Sequence, residues 1–121
     1  MRLYIAANEQ GTIWVVDGTG QSYYEAINKK AFTLLHAEYI AVLRAMQCGH
    51  LVREITSSSE PLINQLNKVI DPQDKPSKLY ADMIWKRTGT RMTFSWTPEE
   101  NNPAFRRLND KSKDSAITGN L

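Results

Sequence analysis

The sequence predicts an α/β domain in which a three-stranded meander leads into a central helix, followed by two more strands and three more helices. Three observations carry this reading. Apolar residues alternate along the first seven positions and again around Phe94, the two-residue period of a strand. Between Phe32 and Met46 the pattern changes to one apolar on nearly every face, which suits a centrally buried helix. With 121 residues and 41% hydrophobic content, the chain can build one core and not two.

The first strand sets Leu3, Ile5 and Ala7 against Tyr4 and Ala6. Glu9-Gln10-Gly11 signals a tight turn, and Thr12 to Val16, β-branched and aromatic, form the second strand. Asp17-Gly18-Thr19-Gly20 turns again, and Gln21 to Ile27 return as the third. Alanine and leucine favour the central helix, with Gly49 placed as its C-cap. Arg53 to Thr56 read as a short fourth strand. Ser58-Ser59-Glu60-Pro61 supply the cap and first turn of a second helix, whose apolar face collects Leu62, Ile63, Leu66, Val69 and Ile70. Asp71 to Pro76, two prolines among polar residues, form a loop. A third helix follows with Leu79, Tyr80, Met83 and Ile84 on one side. Thr88-Gly89-Thr90 turns into a fifth strand, where Met92, Phe94 and Trp96 alternate with polar neighbours. Asn102-Pro103 reads as the cap and first position of a last helix bearing Phe105 and Leu108. The expected domain is 1–110, with 111–121 a polar, frayed tail.

Bulk properties narrow the function classes. Charges are mixed in sign and sum to +2, less than a protein held mainly by phosphate contacts usually carries. Composition therefore permits nucleic-acid binding without arguing for it. The single cysteine, Cys48, rules out an internal disulfide and suits a reducing compartment. No apolar run reaches the roughly 18 residues needed to span a bilayer. The opening segment is interrupted at Asn8-Glu9-Gln10-Gly11, too soon for a signal peptide. A soluble, cytoplasmic protein with no membrane partner is expected.

Three stretches have a further likeness. Thr33-Leu34-Leu35-His36-Ala37-Glu38-Tyr39 is similar to T-N-N-x-A-E-Y. The segment from Ile55 to Asn67 is similar to V-Y-S-D-S-x-x-V-V-N-Q-L-N. The segment from Phe94 to Phe105 is similar to F-x-W-V-P-R-E-E-N-x-E-A-D, with one residue fewer in its loop. In this order and spacing they resemble the type 1 ribonuclease H family, and the resemblance runs from Arg2 to about Asp110. It implies a ribonuclease H-like fold: a mixed five-stranded sheet, element order β-β-β-α-β-α-α-β-α, flanked by helices.

The chemistry implied by the resemblance is two-metal phosphodiester cleavage. Two divalent ions hold the scissile phosphate, generate the attacking hydroxide and stabilise the leaving oxygen, and such hard cations need oxygen ligands, largely carboxylates. The family's four acidic positions fall on Ala6, Glu38, Ser58 and Phe105. Only Glu38 is acidic. Alanine has no ligand atom, serine offers a neutral hydroxyl, and phenylalanine puts a ring where a metal would sit. The expectation is a pseudo-ribonuclease H with no catalytic set and no cofactor. Magnesium or manganese enters only if a divergent nuclease has rebuilt the site. Glu99 and Glu100 are the best substitutes for that, ahead of Glu9, Asp17, Glu60 and Asp110.

Blander readings stand beside these. Glu38 on a mostly buried helix must find a donor or reach solvent, and Ser58 is a candidate neighbour; Ser58 or Ser59 also serves as an N-cap. Phe105 reads as a core residue packing with Leu108. His36 lies two positions from Glu38, so their side chains diverge. Cys48 and His50 fall short of the three or four ligands a zinc site needs. The turn at Asp17 fits a hairpin better than a phosphate loop.

In the family, the T-N-N asparagines contact the RNA/DNA hybrid. Here they are Leu34 and Leu35, and only Thr33 remains. Replacement phosphate contacts could come from Lys29 and Lys30, from Lys86 and Arg87, or from Arg106 and Arg107, whose expected place beside the former site favours them slightly. Each pair is more often a solvated patch. If exposed, Leu34 and Leu35 would form an apolar patch of the kind that marks protein contacts. The expected partners are duplex or hybrid nucleic acid, with a protein partner or self-association as the alternative.

Overall fold

The computed structural model describes residues 2–27, 33–48, 52–88 and 92–110. Its strands are β1 (Arg2–Ala7), β2 (Thr12–Asp17), β3 (Ser22–Ile27), β4 (Glu54–Ser57) and β5 (Thr93–Trp96). They form one sheet in the order β3-β2-β1-β4-β5. The meander pairs are antiparallel, whereas β1–β4 and β4–β5 are parallel, so the sheet is mixed. The antiparallel pairs close through short turns in which Gly11 (φ 82°) and Gly20 (φ 90°) take left-handed backbone, open to glycine at no steric cost. Parallel pairs need long crossovers. One is α1 (Leu34–Ala45), and the other contains α2 (Glu60–Leu66) and α3 (Lys75–Thr88). A single 3₁₀ turn at Glu99–Asn101 leads into α4, residues 103–110. The element order is the expected one.

The two-residue period sends alternate side chains to two cores. On one side of the sheet, Leu3, Ile5, Ile13 and Val15 pack with Tyr39 and Val42 of α1, Leu62 of α2 and Ile84 of α3. On the other, Ala6, Trp14 and Val16 pack against Ala104 and Leu108 of α4. Full burial of a residue such as Leu62 or Ile84 contributes about 1.5–3 kcal/mol. Helix starts are fixed by side-chain caps. Thr33 Oγ1 accepts from the His36 amide at 3.1 Å, Ser59 Oγ from the Leu62 amide at 3.4 Å, and Asp74 Oδ1 from the Ser77 amide at 2.8 Å.

Several sequence expectations are corrected here. The second helix stops at Leu66, because Lys68 adopts φ 63° and the amides of Val69 and Ile70 turn back to the Asn64 carbonyl. Val69 and Ile70 are consequently exposed rather than part of its apolar face. The third helix starts at Lys75, and its inner face is Ser77, Ala81 and Ile84, leaving Leu79 and Met83 outward. In β5, Phe94 is buried but Trp96 is 47% exposed. The fourth strand runs one residue further along than expected, and α1 is capped at Met46. Gly49, His50, Lys29, Lys30 and the tail 111–121 lie outside the described residues.

Candidate functional site

The parallel pairing of β1 with β4 sets Ile5 opposite Ser57, so the ends of these two strands open side by side. Ala6 near the end of β1, Glu38 on α1, Ser58 just past β4 and Phe105 on α4 line one cavity of about 250 Å³. Leu34, Pro61 and Glu99 line it too. The four positions picked out by the family resemblance therefore meet at one place.

Glu38 is half-buried, and loss of solvation pushes its carboxyl from an ordinary value of 4.5 up to about 7. A hydrogen bond with the Ser59 side chain opposes that rise. The serine that meets Glu38 is thus Ser59, the N-cap of α2, and not Ser58. Ser58 Oγ instead accepts from Asn102 Nδ2 at 3.1 Å. The same amide nitrogen donates to the Ile5 carbonyl at 3.0 Å, while Asn102 Oδ1 accepts from the amides of Ala104 and Phe105 at 3.0 and 3.3 Å. Fully buried, Asn102 ties β1, the segment after β4 and the start of α4 together. Its capping role was readable from Asn-Pro; its two donor contacts were not. Phe105 is half-buried, packing beside Ala6 and Leu108 while one part of it faces the cavity.

The remaining acids separate cleanly. Glu99 lines the cavity; Glu100 is exposed and does not. Glu9 lines a neighbouring depression with Leu34 and Phe105. Asp17 is committed to its own turn, accepting from the Thr19 amide and hydroxyl at 2.9 and 2.6 Å and from the Gln21 amide at 3.0 Å. Its carboxyl is held low, chiefly by the Thr19 hydroxyl. Glu60 is exposed at the start of α2, and Asp110 is exposed at the end of α4. Among the described residues no group of three or more His, Cys, Asp or Glu is placed to hold a metal ion. The donor set does not fit a pair of divalent cations. It offers one carboxylate from the four positions plus Glu99, beside a hydroxyl already accepting from Asn102, a methyl group and a phenyl ring.

His36 is turned away from Glu38, with Nε2 3.0 Å from Asp74 Oδ1 and its ring edge-on to Tyr80. Among the basic candidates, Arg106 donates to the Glu100 carbonyl at 2.7 Å. Arg107 reaches the Ser22 hydroxyl at 2.8 Å and the Gly20 carbonyl, its guanidinium 5.8 Å from the Trp14 ring centre. Neither lines the cavity, although both directly follow Phe105 on α4. Lys86 and Arg87 are exposed in the last turn of α3, and Thr33 is exposed at the start of α1. Leu34 and Leu35 part company, Leu34 standing 41% exposed at the cavity and Leu35 packing against the main core. Trp96, expected only as a residue of the fifth strand, donates its indole Nε1 to the Ser58 carbonyl at 3.2 Å.

No protein-family model and no curated protein matches this chain. Solved structures do. The chain is similar to LC11-RNase H1, isolated from compost by a metagenomic approach, with TM-score 0.69 and 23% identity over 96% of each chain. It is similar to the same enzyme in complex with RNA/DNA hybrid, with TM-score 0.66 and 20% identity over 84% of this chain and 87% of that one. RNase H1 from the halophilic archaeon Halobacterium salinarum NRC-1 matches with TM-score 0.62 and 22% identity, over 94% of this chain and 99% of that one. Strand order, the crossover helices and these likenesses agree with one another: the chain has the ribonuclease H fold.

Proposed function

We propose that this chain is a ribonuclease H-fold domain that does not cleave, and that it binds duplex nucleic acid, RNA/DNA hybrid in particular, through backbone phosphates. The observation that carries the first half is the cavity itself, where three of the four metal-ligand positions are Ala6, Ser58 and Phe105. The second half is supported by the fold's likeness to a ribonuclease H bound to RNA/DNA hybrid. Contacts in this reading come from the exposed Thr33 and from Lys29, Lys30, Lys86 and Arg87. Arg106 and Arg107, the pair beside Phe105 on α4, can add contacts through guanidinium N–H groups that the carbonyls they hold do not use. The working unit is 1–110, it acts in the cytoplasm, and it needs no cofactor. Among the described residues no helix is long and apolar enough to cross a membrane.

The test is a titration with RNA/DNA hybrid at low salt, in magnesium and then manganese, scored for both retention and cleavage. Retention without cleavage is expected. Cleavage that Glu38→Gln abolishes would replace this reading with a divergent, metal-dependent nuclease built on Glu38 and Glu99. Failure to retain any duplex would remove it. A second reading, a protein-interaction or dimerisation module, draws on the exposed Leu34 beside the cavity walls of Pro61 and Phe105. It predicts a concentration-dependent oligomer or a co-purifying partner.

A further inference from the structure

We infer that the cavity around Leu34 is one half of a groove for a protein partner, and that its occupant is a peptide segment carrying an apolar side chain flanked by lysine or arginine. The inference rests on the protein-interaction reading above and names the chemistry of the partner. The groove is built from two depressions. The cavity of about 250 Å³ and the neighbouring depression of about 330 Å³ share Ala7, Leu34 and Phe105 as walls. Leu34 stands 41% exposed in the first turn of α1. It adds nothing to the main core, against which Leu35 packs instead.

The polar walls of the cavity are committed to one another. Ser57 Oγ accepts from the Ser59 amide at 3.0 Å, and Ser58 Oγ accepts from Asn102. Ser59 caps α2 and meets Glu38. What they leave to an occupant is the apolar surface of Ala6, Leu34, Pro61 and Phe105, which gains by being covered.

Charge selects among occupants. Each depression carries an exposed glutamate, Glu99 in the first and Glu9 in the second. Among the described residues no lysine, arginine or histidine lines either one. The ion pairs among the described residues are Arg2–Glu54 and His36–Asp74, so neither of these carboxylates has a cation there. A phosphodiester laid along the groove would meet like charge at both ends. A purely apolar partner would strip water from the two glutamates and offer them nothing in return. An apolar side chain over Leu34, with cationic neighbours reaching Glu9 and Glu99, satisfies both kinds of surface and fixes its own register.

The test uses the full chain and a short, fluorescently labelled synthetic peptide in which leucine is flanked by lysines, followed by anisotropy at low salt. Two control peptides replace the lysines by glutamates or the leucine by glycine, and each is expected to bind at least about tenfold more weakly. Leu34→Asn should weaken the leucine–lysine peptide about tenfold. Glu9→Gln and Glu99→Gln should each weaken it about two- to fivefold and flatten its salt dependence; a thermal melt confirms that each variant is folded. Equal binding of the basic and acidic peptides, or affinity untouched by Leu34→Asn, overturns the inference. Hybrid that displaces the peptide and is itself weakened by Leu34→Asn would give the groove to nucleic acid and overturn it too. An oligomer that Leu34→Asn disperses, with no peptide bound, would seat a second copy there instead. A co-purifying partner or oligomer that Leu34→Asn leaves intact, again with no peptide bound, keeps the protein-interaction reading and removes only this groove. Absence of partner, oligomer and peptide binding together removes both.

Discussion

Glu38 keeps a carboxyl in an apolar cavity with one serine as partner, and that arrangement has a thermodynamic signature. Its folded pKa is about 7 against an ordinary 4.5, so between those values the folded state holds a proton that the unfolded chain has released. Stability contributed at this position therefore falls as pH rises from 4.5 to 7 and stays low above that, a swing of about 3 kcal/mol at most. Glu38→Gln removes the ionisable group and keeps an acceptor for Ser59. The variant should be more stable than the parent by about 1–3 kcal/mol at pH 8 and nearly equal to it at pH 4.5. Denaturant titrations of both proteins at the two pH values would show this; parallel pH dependences would mean that Glu38 is solvated. The four positions at this cavity were readable because motif spacing fixes which residues the sheet brings together. Their partners were not. Ser58 and Ser59 point in different directions from neighbouring positions, and Arg106 found its acceptor in the turn just before its own helix, neither of which spacing reveals.

At the scale of elements, Asn102 carries more than its place in the chain suggests. It caps α4, and it also satisfies the Ile5 carbonyl and the Ser58 hydroxyl from a fully buried position. Asn102→Ala should cost about 2–4 kcal/mol, combining a lost cap with a buried carbonyl left without its donor. Asn102→Asp keeps the capping oxygen but loses the donor and faces the Ile5 carbonyl with like charge, so it should be at least as harmful. An aspartate variant as stable as the parent, by chemical denaturation, would show that only the cap matters. The type and order of elements were all readable from period and turn residues. What failed was the extent of two helices. Apolar residues just beyond Leu66 continued the helical pattern, yet the left-handed turn at Lys68 had already ended the helix. In α3 the buried face is Ser77, Ala81 and Ile84, with Tyr80 stacked on Tyr39 of α1, while Leu79 and Met83 face outward. Periodicity weighs residues by hydrophobicity, so it passed over the buried Ser77 and Ala81 in favour of the more apolar Leu79 and Met83.

At the scale of the whole molecule, electrostatics sets how the proposed binding of an anionic duplex would work. A net charge of +2 provides only a weak attractive field, and two of the arginines nearest α4 are engaged with backbone carbonyls. Binding through phosphates must then rely on few cations, about two to four. Each neutralised phosphate contributes roughly −0.9 to the slope of log affinity against log salt. The slope should accordingly lie between about −1.8 and −3.6, and affinity for hybrid should fall about 10- to 150-fold between 50 and 200 mM salt. Arg106→Glu tests whether that arginine takes part in the contacts. If it does, the variant binds more weakly on every sequence and its slope is shallower by about one; if it stays in its turn, the slope is unchanged. Equilibrium binding at four or five salt concentrations separates these outcomes. A hybrid affinity that ignored salt altogether would mean that no phosphate is neutralised, and would overturn the proposed binding through the backbone.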